Sequence, residues 1–124
     1  MSKKIPIPVF NHPIIETHCH LDYLEGDSLQ AALESAKAVN VERLITIAVS
    51  PDNLEKVMQL AQNHEQVWGT QGIHPHDAKD YNAVVEAQIR ANALHPKMLA
   101  IGEIGLDYFY EHSDRVVQRQ AFES

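Results

Sequence analysis

The chain has 124 residues, of which 44% are hydrophobic and 22% are charged. This length is sufficient for one domain with its own core and too short for two, so we expect one unit over residues 1–124. The formal net charge of -7 argues against broad electrostatic wrapping of nucleic acid, because phosphate contacts draw on a surplus of Lys and Arg.

Targeting signals are weak in this sequence. No segment approaches the ~20 apolar residues that cross a bilayer, so no membrane partner is expected. The N-terminal stretch is broken by Pro6, Pro8 and Pro13 and lacks the apolar run of a signal peptide. The single cysteine, Cys19, cannot form an internal disulfide, which fits the reducing cytoplasm. We therefore predict a cytoplasmic protein.

The first half of the chain alternates strand-like and helix-like segments. A first strand is predicted over residues 13–17. Apolar residues at i, i+3, i+4 and i+7 then predict one face of a helix: Leu29, Ala32, Leu33 and Ala36. Residues 43–49 are typical of a strand covered on both sides. Ser50 and Pro51 are predicted to start a second helix, whose apolar face comprises Leu54, Val57, Met58 and Ala61.

The second half repeats the alternation. Residues 67–70 and 98–101 predict a third and a fourth strand. The helix between them is predicted to bury Val84, Ala87, Ala91 and Leu94. Ser113 is the predicted N-cap of a final helix that contains Val116, Val117 and Gln120.

Four consecutive strand and helix pairs predict an α/β fold with a parallel sheet, in which each helix is a crossover connection. A complete (β/α)8 barrel needs about 250 residues, so four pairs correspond to the first half of a TIM-type barrel. An open doubly wound sheet is the alternative from periodicity alone.

The sharpest local motif is His18-Cys19-His20, at the end of the first predicted strand. Side chains alternate along an extended segment, so His18 and His20 share one face and Cys19 points to the other. Two imidazoles on one face can share a metal ion, whereas a solvated pair is the alternative for an isolated His-x-His. The position favours the metal, because barrel enzymes place active sites at the carboxyl ends of strands. Asp22 is either an outer-shell partner of one imidazole or the acid of a turn.

A further candidate ligand, Glu103, follows the fourth predicted strand between Gly102 and Gly105. The glycines allow tight backbone conformations around one carboxylate, and a carboxylate can bridge two divalent ions. An exposed acid in a strand-to-helix loop is the alternative. Asp107 either anchors a ligand or caps the turn.

A third motif, GIHPH at residues 72–76, follows the third predicted strand. Pro75 restricts the backbone between His74 and His76 and so holds their separation. Each imidazole is a candidate contact for a phosphate or a metal, and a loop with two solvent-facing imidazoles is the alternative. The remaining histidines, among them His112, are predicted to be structural or solvated. Cys19 is predicted to be a buried core thiol.

In order and spacing, these motifs resemble three signatures of the TatD-like DNases: residues 16–22 (ETHCHLD), 72–76 (GIHPH) and 101–108 (IGEIGLDY). Residues 108–122, which include Gln118, are similar to the next helix of that family, so the resemblance covers nearly the whole chain. It implies a barrel of the metallo-dependent hydrolase superfamily that cleaves DNA phosphodiester bonds with two divalent ions, of zinc, magnesium or manganese. Glu16 departs from the pattern, since the family usually has aspartate there.

The resemblance implies that His18 and His20 hold one ion, that Glu103 bridges to a second, and that His74 lies in the substrate pocket. Glu103 is therefore the predicted catalytic residue, and His74 and His76 are the predicted substrate contacts. Two further histidines and an aspartate come from later strands of the family, and those positions are not in this sequence. The hypothesis is the N-terminal half of a TatD-type deoxyribonuclease, with DNA as substrate and little activity of its own.

Two other functions remain open. A related barrel hydrolase that acts on an amide, lactone or ester would share His-x-His after its first strand. A non-catalytic half barrel would instead self-associate through its exposed sheet edges, because an uncovered strand edge invites pairing.

Overall fold

A computed structural model describes residues 4–124 and shows four parallel strands, each followed by a helix. The strands are β1 (Ile14–Cys19), β2 (Val41–Thr46), β3 (Val67–Gln71) and β4 (Met98–Ile101). The helices are α1 (Gly26–Ala38), α2 (Leu54–Asn63), α3 (Ala83–Asn92) and α4 (Arg115–Glu123). Short 3-10 helices cover Leu21–Tyr23 and Pro75–Asp80. The predicted α/β class is confirmed.

The strand order in the sheet is β1-β2-β3-β4, the same as the order in the chain. A doubly wound sheet reverses direction at a switch point, and the described strands contain no such reversal. Sequential parallel strands with helical crossovers are the arrangement of a (β/α) barrel, of which this chain forms four units. Because every strand runs the same way, all four carboxyl ends lie at one rim of the sheet.

Two apolar clusters hold the helices against the sheet. The first joins α2 and α3 to the middle of the sheet and comprises Ala48, Leu54, Val57, Met58, Ala61, Ile73, Val85, Ile89 and Met98. The second lies between α1 and the first three strands and comprises Leu21, Leu33, Leu44 and Val67. Burial of each large apolar side chain stabilises the fold by about 1.5–3 kcal/mol. The core therefore fixes the strands, and with them the rim at their carboxyl ends.

The predicted starts of two helices are wrong. Helix α2 begins at Leu54 with Asn53 as its N-cap, three positions after the predicted cap Ser50. The Asn53 side chain accepts hydrogen bonds from the backbone N–H groups of Val49 and Ser50, so the Ser50 and Pro51 segment forms a turn. Asp114, not Ser113, caps α4.

The cap of α4 is visible in its hydrogen bonds. The Asp114 carboxylate accepts from the Val116 N–H at 2.9 Å. Ser113 is buried, and its hydroxyl donates to the His76 carbonyl and accepts from the Lys79 N–H. Its hydroxyl is therefore committed to the loop after β3, which is why it does not cap the helix.

The predicted apolar face of α3 is also wrong. The helix buries Val85 and Ile89, whereas Val84 is 78% exposed and Leu94 is 85% exposed and lies beyond the helix end. Alanine and valine occur around much of this helix, so several rows spaced by four residues have similar hydrophobicity. The strand predicted over residues 43–49 covers Val41–Thr46 instead. Within the described part of the chain, no helix is long and apolar enough to cross a bilayer.

Candidate metal centre

The three predicted metal ligands converge at the carboxyl rim of the sheet. One ligand atom from each of His18, His20 and Glu103 lies within 4.8 Å of the other two. The Nε2 atom of His18 is 3.6 Å from Oε2 of Glu103. These residues come from the ends of β1 and β4, the two outer strands. Since neighbouring strands lie about 4.8 Å apart, the outer strands of a flat sheet would be roughly 14 Å apart, so the curvature of the sheet contributes to the convergence.

The end of β1 sets the direction of the two imidazoles. The Glu16 carboxylate accepts a hydrogen bond from the His18 N–H at 2.9 Å, which fixes the backbone before the motif. The rings of His18 and His20 are 5.2 Å apart and nearly perpendicular. Between them, Cys19 faces the core, where its thiol lies 3.4 Å from the carbonyl oxygen of Ile45 and donates to it. The predicted alternation of faces is therefore observed.

Cys19 is unsuited to act as a nucleophile. Its side chain is half-buried against the second apolar cluster. Burial, with smaller contributions from the negative charges of Glu16 and Asp22, raises the pKa of the Cys19 thiol to about 11. Because the thiolate is the reactive form, a thiol with this pKa is almost wholly protonated at neutral pH.

Two buried polar atoms at the rim have no hydrogen-bond partner among the described residues: Nδ1 of His20 and Oδ1 of Asp22. Buried polar atoms are normally paired, so these two are candidates for contact with a further polar group or ion. Two imidazoles and a carboxylate suit divalent zinc or manganese, and magnesium accepts the carboxylate. The residues therefore fit a divalent ion.

Asp22 does not orient an imidazole in the described residues. It is the acid in the first turn of the 3-10 helix Leu21–Tyr23, the second of the two roles considered for it. Its Oδ2 atom accepts from the Asn53 amide at 3.2 Å. Asn53 thereby joins the end of β1 to the loop after β2, a contact that helical periodicity did not indicate.

Backbone contacts across the rim position Glu103. Its N–H donates to the Ala48 carbonyl, beyond the end of β2, at 2.8 Å. The preceding residue, Gly102, donates its N–H to the Gln71 carbonyl at 3.0 Å and accepts from the Thr70 hydroxyl at 2.7 Å. The segment thus lies across the end of β3. Gly72 makes this possible, because a Cβ atom there would lie 2.7 Å from the Gly102 carbonyl carbon.

His74 faces the same carboxylate from the loop after β3. Its Nε2 atom is 3.5 Å from Oε1 of Glu103, and its Nδ1 atom accepts from the His76 N–H at 3.0 Å. An Nδ1 atom that accepts a hydrogen bond carries no proton, so the neutral ring has its proton on Nε2. His74 therefore offers an N–H donor to the site, which suits an oxygen anion better than a metal ion.

His76 pairs with Asp107 across the loops that follow β3 and β4. Nε2 of His76 is 2.5 Å from Oδ2 of Asp107. Oδ1 of Asp107 accepts from the N–H groups of Phe109 and Tyr110. The backbone hydrogen bond from Tyr110, followed by the bond from His76, lowers the pKa of Asp107 below its ordinary value. Asp107 is therefore ionised at neutral pH, and it both caps the turn and anchors an imidazole.

A polar cavity connects these groups. It is lined by His20, Tyr23, His74, His76, Asp77 and Glu103, together with Val49. Four of the five predicted site residues line it, and the fifth, His18, lies beside Glu103. The structure thus brings the predicted ligands and the predicted substrate contacts to one place, while their roles remain predictions.

Gln118 is the main residue near the site whose role the sequence did not indicate. Its side chain is 1% exposed. The amide oxygen accepts from the Asp107 N–H at 2.7 Å, and the amide nitrogen donates to the carbonyls of Asp107 and Ser113 at 2.9 and 2.8 Å. Gln118 therefore clamps the loop that carries Asp107. These bonds join residues of different segments, which is why the periodicity of α4 gave no signal.

Replacement of Gln118 by leucine is expected to lower the free energy of unfolding by about 3 kcal/mol, because buried backbone groups lose their partners. Urea denaturation followed by circular dichroism measures this change. Gln120 is exposed on the same helix, so Gln120→Leu is the matched control and should stay within about 0.5 kcal/mol of the wild type. Equal urea midpoints for the two variants would contradict the claim that Gln118 stabilises the loop that carries Asp107.

Comparisons with known proteins identify the family. A family model described as TatD related DNase matches residues 15–124. The metal-dependent hydrolase YabD of Bacillus subtilis (strain 168) is 32% identical over 110 residues, which are 88% of this chain and 43% of YabD. The 3'-5' ssDNA/RNA exonuclease TatD of Enterobacter lignolyticus (strain SCF1) is 35% identical over 92 residues, 74% of this chain and 35% of that protein.

A solved structure shows the same fold. The crystal structure of YjjV, a TatD homologue from Escherichia coli K12, superimposes with a TM-score of 0.78 at 29% identity, over 89% of this chain and 44% of that chain. The chain is therefore an α/β protein of the barrel class and spans less than half the length of these relatives. It belongs to the TatD-related DNase family, as the motifs predicted.

Proposed function

We propose that the rim site serves metal-dependent hydrolysis of DNA phosphodiester bonds, with His18, His20 and Glu103 as metal ligands. The observation that carries the proposal is their convergence within 4.8 Å from opposite edges of the sheet. The names of the relatives, metal-dependent hydrolase and ssDNA/RNA exonuclease, support the same chemistry. His74 and His76 are the proposed substrate contacts.

Each side chain has a separate task in this proposal. His18, His20 and Glu103 would hold a divalent ion, and such ions, when bound, would polarise the phosphoryl oxygens and activate a water molecule as nucleophile. Glu103 would be the ligand that both ions share; in the structure its Oε2 faces His18 and its Oε1 faces His74. The Nε2–H group of His74 donates a hydrogen bond to a phosphate oxygen. His76 borders the cavity with its ring held by Asp107, so it is placed to contact the same phosphate or its neighbour.

The isolated chain is proposed to have a weak form of this activity. It supplies three candidate ligands, whereas the family resemblance implies two further histidines and an aspartate at positions that this sequence does not contain. Three ligands leave at most one well-formed ion site, because a catalytic zinc ion, for example, takes three protein ligands of its own. Weak metal binding and little or no DNA hydrolysis are therefore expected of these 124 residues.

Parallel assays on the purified chain test the proposal. With Mn2+ present, we expect metal-dependent binding of a labelled single-stranded DNA oligonucleotide, little cleavage of it, and no hydrolysis of p-nitrophenyl acetate above the buffer rate. His74→Ala should weaken binding of the oligonucleotide. Substantial DNA cleavage that Glu103→Gln abolishes would overturn the expectation of weak activity. Metal-dependent ester hydrolysis without DNA binding would instead establish the rival, a hydrolase of esters, lactones or amides.

A second candidate role is self-association of the half barrel. It is favoured by exposed apolar side chains on the outer strands: Ile15 on β1 is 50% exposed, and Leu99 and Ile101 on β4 are 54% and 52% exposed. Unpaired strand edges that carry such side chains invite pairing with a second copy. A dimer without bound metal in native mass spectrometry supports this role, and a monomer at high protein concentration contradicts it.

A further inference from the structure

Exposed aromatic side chains lie in and beside the rim cavity. Tyr23 is 72% exposed, lines the cavity and lies 5.4 Å from the ring of His20. The ring of Tyr110, which is 64% exposed, lies 5.9 Å from the ring of His76, another residue that lines the cavity. Phe109, at 85% exposure, packs edge-on against Tyr110. The aromatic surfaces therefore adjoin both the proposed metal ligands and the proposed substrate contacts.

The loop that carries Phe109 and Tyr110 is held in place by polar contacts. The carboxylate of Asp107 accepts both of their backbone N–H groups, and the buried Gln118 clamps Asp107 itself. The ring of Tyr110 also stacks on His112, at 5.8 Å and 13° between planes. A fixed loop that presents its aromatic rings to solvent has already lost the conformational freedom that ligand binding would otherwise remove.

The charge of the protein limits other modes of attachment. With a formal net charge of -7, the chain has little general attraction for a phosphate backbone. Stacking of a base on an aromatic ring does not depend on net charge and tolerates any base sequence, because every base has a π-face. It also requires bases that are free of a duplex partner.

We propose that Tyr23, beside His20, and Tyr110 with Phe109, beside His76, are stacking surfaces for the unpaired bases that flank the phosphate at the rim site. Single-stranded nucleic acid is already in the name of the TatD relative; the inference assigns the contact with its bases to these three rings and predicts a preference over a phosphodiester without bases. This inference rests on the proposed function. It adds that recognition comes from the bases, whereas the metal ligands and His74 contact the phosphate.

Fluorescence anisotropy with two labelled strands of equal length and charge tests the inference. One is an oligothymidine and the other is its abasic counterpart, each measured with and without Mn2+. We expect the wild type to bind oligothymidine about tenfold more tightly than the abasic strand. Tyr23→Leu, Tyr110→Leu and Phe109→Leu should each reduce that preference without changing the affinity for the abasic strand. Phe109→Leu removes the most exposed ring, so it keeps the test valid if Tyr110→Leu disturbs the loop.

The control variant is Phe10→Leu, because Phe10 is an aromatic residue that is 38% exposed and lies at the opposite rim. Its N–H donates to the carbonyl of Val39, which precedes the start of β2. It should keep the wild-type preference. Equal wild-type affinity for the two strands would overturn the stacking inference and leave the proposed function standing. A thymidine preference that the variants lose, with no effect of Mn2+, would support stacking and count against the proposed function. Failure to bind either strand would overturn both.

Discussion

Substitution of Glu103 by glutamine is expected to remove detectable binding of Mn2+ or Zn2+ from the chain. The carboxylate supplies the negative charge of the candidate ligand set, and both of its oxygens face imidazoles. Loss of an outer-shell partner costs about 10- to 100-fold in metal affinity, so loss of a direct anionic ligand should cost at least about 100-fold. Isothermal titration calorimetry at pH 7.5 measures the change.

Thermal unfolding gives an independent measurement of the same effect. An ion at about 100 times its dissociation constant stabilises the folded chain by about 2.7 kcal/mol, so Mn2+ should raise the Tm of the wild type and not that of Glu103→Gln. Glu42→Gln is the matched control, because Glu42 is exposed at the start of β2, at the opposite rim, and its substitution changes the net charge equally. Unchanged Mn2+ affinity in Glu103→Gln would show that Glu103 is not a ligand.

The convergence of the candidate residues was predictable because it follows from topology. In a parallel sheet every strand ends at the same rim, so motifs that follow predicted strands must lie on one side of the molecule. His18, His74 and Glu103 meet there for that reason. Gly72, just after the end of β3 and before His74, also indicated that another backbone segment passes close by, since a glycine at a strand end often marks such an approach. The partner of that approach, Gly102, could not be read from the sequence.

Predictions failed where a local pattern had more than one solution. Ser113 and Asp114 are adjacent residues that can both cap a helix, and the choice depends on the contact of Ser113 with the loop after β3. Ser50 and Pro51 form a typical helix start, yet the hydrogen bonds that Asn53 accepts from Val49 and Ser50 shift the start of the helix. In both cases a contact outside the helix decided the outcome.

Replacement of Gly72 by alanine is expected to destabilise the protein by about 3 kcal/mol and to impair metal binding together with stability. The new Cβ atom would lie 2.7, 2.8 and 2.9 Å from the carbonyl carbon, carbonyl oxygen and nitrogen of Gly102. These are backbone atoms, so no side-chain rotation can relieve the overlap. Overpacking of this kind costs about 1–3 kcal/mol, and each strained hydrogen bond of the crossing segment adds about 1 kcal/mol.

The crossing segment links this steric effect to the site. If Gly102 moves away from Gly72, the bonds from Gly102 N–H to Gln71 and from Glu103 N–H to Ala48 lengthen, and the Glu103 carboxylate moves away from His18. Gly102→Ala is the matched control, since a Cβ atom there meets nothing within 4 Å and the φ of Gly102 is negative. Its cost should stay below about 1 kcal/mol. Urea denaturation and Mn2+ titration compare the two variants, and equal loss of stability in both would mean that contact with Gly72 does not hold Glu103 in place.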